Sequence, residues 1–305
     1  MKQILHVGMG KCASTYLQME FFPRVQRHYP SINYLPQSDL VRKIRTCQRL
    51  GSSFISPNFE FQQEGLHSCE DLIGWNPSHW DTAIEDIASI VPRNSRIILI
   101  LRDPFDYLQS LYVQQVKSGH VVNFDEWWTK GDLGRNVITS NPRFGFRHIN
   151  IDHLDYEYLV KLLAAKFDDL VVMTLSSVYN LDTLCRAFEI PLDEIKKLNI
   201  KSNLVNQRLT EFQVKSIKRI NAILKFFGLQ FNDMTTAHNL LKFGSKNTSQ
   251  NRFTLMNFLI KSTSLIPSSK FSVDSSELRK NITLKKSEKF VSYIDNEYGG
   301  LLQKL

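Results

Sequence analysis

The stretch 97–101 reads Ile-Ile-Leu-Ile-Leu, an unbroken apolar run with Arg96 before it and Arg102 after it. A strand with one face in water alternates apolar and polar residues, so a continuous run bounded by charge specifies a strand covered on both faces. Such strands belong to parallel sheets, and parallel strands need crossover connections, usually helices. This run commits the chain to an α/β architecture before any other feature is read. The residues that follow agree. Asp103 is a good N-cap and Pro104 a good first-turn residue. Leu108, Leu111, Tyr112, Gln115 and Val116 then recur at helical spacing, up to a stop at Ser118 and Gly119.

The N-terminus has the same organisation. A short strand is expected over residues 3–7, a glycine-containing loop over 8–13, and a helix over 14–25 that buries Leu17, Phe21 and Phe22 on one face. Helices are expected over 38–50 and from Trp80 to a stop at Pro92 and Asn94, with extended chain over 59–63. A helix over 156–167 precedes a third strand over 170–175. Further helices are expected over 181–188 and over 209–227. Beyond Leu240 the composition turns to Ser, Lys, Asn and Thr. Two readings stay open there: a lid or acceptor-side cap, or a poorly ordered basic tail. The expected organisation is an α/β domain over 1–240 and an irregular basic extension over 241–305, packed on that domain. A chain of 305 residues is ample for one such domain with a full core.

Charge narrows the ligands. Lys and Arg number 38 against 30 Asp and Glu, a net excess of 38 − 30 = 8. That balance suits anionic ligands. The basic residues are scattered, without the dense tract or interleaved aromatics of a nucleic-acid surface, so no nucleic-acid partner is expected. Cys12, Cys47, Cys69 and Cys185 match neither a zinc pattern nor a CxxC pair, and read as free thiols in a reducing compartment. No metal is expected; His148 and His153 around Asp152 lack a third ligand. The start of the chain is too soon broken by Gly8 for a signal peptide. The most apolar stretch, 253–266, is interrupted by Asn257, Lys261, Ser262 and Thr263. The chain is expected to be soluble and cytoplasmic, with peripheral membrane contact left open.

The N-terminal loop carries the first chemistry. Residues 4–18 read I-L-H-V-G-M-G-K-C-A-S-T-Y-L-Q. A nucleotide triphosphatase loop would have Gly at position 5 and Ser or Thr at 12, where this chain has Leu5 and Cys12. The hydroxyl that would hold Mg²⁺ is therefore missing from its place. What remains is a helix start at which the N–H groups of Cys12, Ala13, Ser14, Thr15 and Tyr16 can meet an anion. Ser14 and Thr15 add hydroxyl donors, and Lys11 adds a charge where negative charge develops during transfer. A plain tight turn with a capping Ser and a surface Lys uses the same residues. A second grip is read at Arg102, which leaves the C-terminal end of the central strand, and at Ser110 on the helix after it. An ion pair with Asp103 or Asp106 is the alternative for Arg102, and a solvated position the alternative for Ser110.

Taken together, the two segments resemble the sulfotransferases that use 3′-phosphoadenosine-5′-phosphosulfate (PAPS), and in particular a microbial branch. The 5′-phosphosulfate loop of that family is similar to Lys11-Cys12-Ala13-Ser14-Thr15 with Leu17, although Ala13 stands where the family has Gly and Cys12 where it has Ser or Thr. Its 3′-phosphate motif is similar to Arg102-Asp103-Pro104 with Ser110. Weaker likenesses reach Glu64-Gly65-Leu66 and the run Asn206-Gln207-Arg208-Leu209-Thr210, where Arg208 would join the nucleotide site. The resemblance implies a P-loop-like, three-layer α/β/α fold with a central, mostly parallel sheet and a helical C-terminal cap. It also implies in-line transfer of a sulfuryl group from PAPS to a hydroxyl acceptor, a glycan or cell-surface precursor, without a metal. Lys11 would stabilise the transferred group. Glu64, read as a strand-end acid, and His67, whose ordinary pKa suits a base, are the candidate bases. His6 reads as a core histidine, and Phe124, Trp127 and Trp128 as packing or as a sugar platform. Two other functions stay in play: a P-loop kinase for a small molecule, and a non-catalytic anion-binding module.

Overall fold

The computed structural model of the chain describes residues 3–36, 38–50, 65–117, 122–130, 148–196, 210–226 and 276–303. Its centre is a five-stranded sheet built from β1 (Ile4–Gly8), β2 (Leu66–Ser68), β3 (Arg96–Leu101), β6 (Asp169–Thr174) and β7 (Leu301–Gln303). The order across the sheet is β2-β1-β3-β6-β7. The first four strands run parallel, and β7 closes one edge antiparallel to β6. A separate two-stranded parallel pair joins β4 (Trp128–Thr129) to β5 (Ile149–Asn150).

Residues 97–101 are buried throughout, as their pattern requires of a strand covered on both faces. On one side of the sheet, Phe22 packs edge-on against Phe188, with ring centroids 4.9 Å apart. Phe22 belongs to α2 (Phe22–His28) and Phe188 ends α8 (Leu181–Ala187). Elsewhere α3 (Asp39–Leu50) packs on α4 (Trp80–Ala88), α4 on α7 (Tyr156–Lys166), and α7 on α11 (Ile282–Tyr298). Both α7 and α11 also contact β6, and α5 (Pro104–Lys117) packs on α11 and on α10 (Glu211–Phe226). The result is a mixed α/β fold with a central sheet flanked by helices, the coarse architecture the sequence implies. The small helices α6 (Phe124–Trp127) and α9 (Leu192–Lys196) complete the described part.

The helix expected over 14–25 is a composite. It starts as α1 (Ser14–Tyr16), widens into a π-helical turn over Leu17–Phe21, and continues as α2. Pro23 at the start of α2 has no N–H to give to a preceding turn, which is where a regular ladder is interrupted. The expected helices over 38–50, 156–167 and 209–227 are α3, α7 and α10, within one or two residues. Caps explain two of the starts: Asp155 opens α7 by accepting from Tyr158 N–H, and Asn180 opens α8, expected over 181–188, by accepting from Thr183 N–H.

The extended stretch expected over 59–63 lies outside the described residues, and β2 is described just beyond it. One expectation changes. The described part of the C-terminal extension is regular rather than irregular: residues 276–303 form α11 and then β7 of the central sheet. Asn281 caps α11 by accepting from Leu284 N–H, and Gly299 ends it at φ 58°. Leu301 and Leu302 then bury themselves against β6.

Candidate functional site

The sheet order defines where a site can be built. The chain leaves β1 for β2 on one side and returns past β1 to β3 on the other. That reversal opens a crevice between the C-terminal ends of β1 and β3, the usual ligand position in open α/β sheets. The loop after β1 and the segment after β3 meet there. Met9 N–H donates to the Ile100 carbonyl at 3.1 Å, and Arg102 Nη1 donates to the Lys11 carbonyl at 3.2 Å.

The β1 loop is shaped by its backbone. Lys11 sits at φ 65° and Ala13 at φ 60°, both left-handed without being glycine. The conformation costs an L-residue on the order of 1 kcal/mol. It turns the chain so that Ser14 begins a helix directly over the crevice. Gly10 is required for another reason: a Cβ there would lie 2.9 Å from Trp75 Nε1. The Lys11 ammonium donates to Gln114 Oε1 at 2.8 Å and lies 5.3 Å from the centroid of the Trp75 ring. Burial lowers its pKa; the nearby Glu70 carboxylate opposes this, while Lys117 and Arg102 add to it.

Ser14 is buried, and its hydroxyl donates to Glu70 Oε2. Thr15 follows, partly exposed, and Tyr16 packs its ring 5.7 Å from that of Tyr179. Cys12 is fully buried, and its thiol is pushed up to about 12, chiefly by burial. It stays a neutral thiol and cannot replace the hydroxyl that holds Mg²⁺ in a triphosphatase loop.

The β3 side is simpler. Asp103 Oδ1 accepts from the N–H groups of Phe105 and Asp106, capping α5, and burial raises its pKa. Arg102 reaches the Asp106 carboxylate at 3.4 Å, so one expected ion pair is present. Its Nε is buried without a partner, leaving unspent donor capacity at the crevice. Ser110 lies partly buried on α5, one turn before Gln114, and so shares the helix face that meets Lys11.

The candidate bases fall elsewhere. His67 is the middle residue of β2, fully buried, with Nδ1 2.8 Å from Ser38 Oγ at the start of α3. In register it pairs with Leu5, while Ser68 pairs with His6 on the opposite face. The structure thus places His67 inside the sheet against the start of α3. Glu64 and Arg208 lie outside the described residues. Gly65, next to Glu64, accepts from Ile4 N–H at the N-terminal end of β1, far along the strand from the loop.

The acid that does stand by the loop is Glu70, two residues past the C-terminal end of β2. Sequence reasoning missed it because β2 is too short to announce itself; the signal was the acid pair Glu70-Asp71 just past Leu66-His67-Ser68. His6 is a buried core histidine, as read: its Nδ1 lies 2.8 Å from Ser68 Oγ, and burial takes its pKa from 6.5 to about 4. Phe124 and Trp127 are buried against Tyr112, with centroids 5.2 and 5.6 Å from it, and serve as packing. Among the described residues no group of three or more His, Cys, Asp or Glu could hold a metal ion. No helix among them is long and apolar enough to cross a membrane.

No family model matches the chain, and no curated protein matches it. A solved structure that is similar is the crystal structure of a sulfotransferase from Alicyclobacillus acidocaldarius. It has 13% sequence identity, covers 82% of this chain and 98% of its own, and gives a TM-score of 0.42. Fold and site together define an α/β protein with Lys11 and Arg102 at its switch point.

Proposed function

We propose that this chain is a sulfotransferase that moves a sulfuryl group from PAPS to a hydroxyl. The observation that carries the reading is the convergence of Lys11, Ser14, Arg102 and Glu70 on the crevice between β1 and β3. Arg102 and Lys117 both act on the Lys11 ammonium there, with Glu70 opposing them and Asp106 holding one side of Arg102. Such a place favours a ligand with more than one anionic group.

The donor is a substrate with a 5′-phosphosulfate and a 3′-phosphate. The N–H groups at the start of α1, with Ser14 and Thr15, hold the 5′-phosphate. Arg102 and Ser110 take the 3′-phosphate, Arg102 through the donors that Asp106 and the Lys11 carbonyl leave over; by resemblance Arg208 joins them. In the transfer step the acceptor oxygen bonds to sulfur as the bond from sulfur to the 5′-phosphate oxygen breaks. The acceptor's proton passes to the Glu70 carboxylate, and 3′-phosphoadenosine-5′-phosphate leaves. Lys11 neutralises charge on the sulfuryl oxygens and on the leaving phosphate. Glu70 takes the place that sequence reasoning gave to Glu64 or His67, because it is the carboxylate in contact with the loop. The step requires no metal.

The acceptor class proposed is a glycan or cell-surface precursor hydroxyl, supported by the net basic charge and by the family resemblance. A cytoplasmic site of action is supported by four buried cysteines that form no disulfide. The kinase reading loses support from the buried Cys12.

The test is thermal stability with 3′-phosphoadenosine-5′-phosphate against ATP with Mg²⁺, followed by transfer of labelled sulfate from PAPS to glycan acceptors. A ligand that binds only the folded state raises the melting point. A rise with the 3′-phosphorylated nucleotide that disappears in Arg102→Ala is the expected result. A rise with ATP–Mg²⁺ alone overturns the reading in favour of a kinase.

A further inference from the structure

The segment that presents Glu70 is held from two sides. On its inner side it lies against β1: Cys69 N–H donates to the His6 carbonyl at 2.9 Å, and Ile73 N–H to the Val7 carbonyl at 3.4 Å. The fit is close, since a Cβ on Gly8 would lie 2.8 Å from the Glu70 carbonyl oxygen. On its outer side it is gripped by α3. Arg45 Nη2 sits astride the Asp71 carboxylate, 2.6 Å from one oxygen and 2.8 Å from the other. Gln48 Nε2 donates to the Leu72 carbonyl at 2.5 Å. The Cys69 thiol, which burial keeps protonated, donates to Asp71 Oδ1 at 2.7 Å.

Two neighbouring carboxylates therefore have opposite duties. Glu70 reaches inward to the Ser14 hydroxyl, and Asp71 reaches outward to α3. Consecutive residues share a peptide plane, so fixing the Asp71 side chain from outside limits how Glu70 can turn. We infer that Arg45, acting through Asp71, is a positioning residue that sets the Glu70 carboxylate over the loop for proton removal. Arg45 itself touches nothing that reacts. The inference rests on the functional reading above.

A double-mutant cycle on sulfuryl transfer tests it, with kcat and donor KM measured separately for Arg45→Met, Glu70→Gln and the pair. A base misplaced by a fraction of an ångström loses rate rather than donor affinity. Arg45→Met is expected to lower kcat about tenfold and leave donor KM within about twofold. The pair is expected to be no slower than Glu70→Gln alone, because Arg45 has nothing left to position. Arg45→Lys should recover most of the rate, since one nitrogen astride two oxygens is a contact an ammonium can make. If Arg45→Met does not fold, Asp71→Asn carries the same cycle. Effects that add in the pair, or that fall on KM and kcat alike, overturn the inference and leave the functional reading standing. No transfer by the unaltered chain overturns both.

Discussion

β1 and β3 lie side by side at the centre of the sheet, equally buried, and are built on opposite terms. β3 is aliphatic from Ile97 to Leu101 and passes into α5 through an ordinary cap at Asp103. β1 carries a buried histidine in its middle and ends in a loop with two non-glycine residues in the left-handed region. One strand is a scaffold with Arg102, a residue of the proposed site, at its tip. The other accepts polar burial and backbone strain to place Lys11 and Ser14 over the crevice. On the proposed reading, function at this switch point is unevenly shared: stability comes from one side and most of the chemistry from the other.

The comparison breaks most readily at Lys11. If the β1 loop carries the chemistry, Lys11→Ala should lower kcat for sulfuryl transfer by about 10³-fold, the scale of losing one donor aimed at developing charge. The melting point should change little, because the desolvation of a half-buried cation is relieved while its contacts with Gln114 and Trp75 are lost. Steady-state transfer and thermal melts check both parts. Full activity in this variant would remove the loop from the mechanism.

His6 tests the claim that β1 sacrifices stability where β3 does not. Its pKa falls from 6.5 to about 4 on folding, through burial. The unfolded chain therefore binds a proton at a pH where the folded chain does not, and the stability is complete above 6.5 and lost as pH falls toward 4. Over that window the loss from this group is about 3 kcal/mol. Urea unfolding between about pH 7 and pH 4.5 should show the slope, and His6→Gln should flatten it by about one proton. β3 has no titratable side chain between Ile97 and Leu101 to produce such a slope.

Arg102 is the point where β3 does contribute. Arg102→Ala should weaken binding of 3′-phosphoadenosine-5′-phosphate roughly 10- to 100-fold, the scale of charge-assisted hydrogen bonds. Adenosine 5′-phosphate, without the 3′ group, should lose much less. Calorimetric titration of both nucleotides separates the two; equal losses would place Arg102 in the support of the loop rather than in contact with the 3′-phosphate.

The difference between the strands also decides what could be read in advance. β3 was legible because a five-residue aliphatic run, rich in β-branched residues and bounded by charge, favours a buried strand, and the neighbourhood of Lys11 and Arg102 was legible because each follows such a strand at a short offset. β2 was not: three residues, Leu66-His67-Ser68, are too few for a period to emerge. The base was sought at Glu64, which lies outside the described residues, and at His67 within β2, whereas a carboxylate that the structure sets against the loop is Glu70. β7 failed to register for a related cause. Leu301 and Leu302 make a strand only by pairing with β6, a tertiary event, although Asn281 and Gly299 mark both ends of the helix before it.

The smallest effect bears on strain itself. Ala13 holds φ 60°, a conformation in which a Cβ crowds the following carbonyl and glycine does not. Ala13→Gly removes that crowding but gives the unfolded chain more freedom, and the two terms oppose each other. The relief, about 1 kcal/mol, is expected to exceed the entropic loss, so the variant should be more stable by a few tenths of a kcal/mol. Equilibrium unfolding in urea resolves this if the slope of the transition is unchanged. A more stable variant with intact transfer would mean that the strain merely came with the shape of the loop. A more stable variant with slower transfer would mean that Ala13 holds Lys11 and Ser14 in register more firmly than glycine can, and that β1 gives up stability for that purpose.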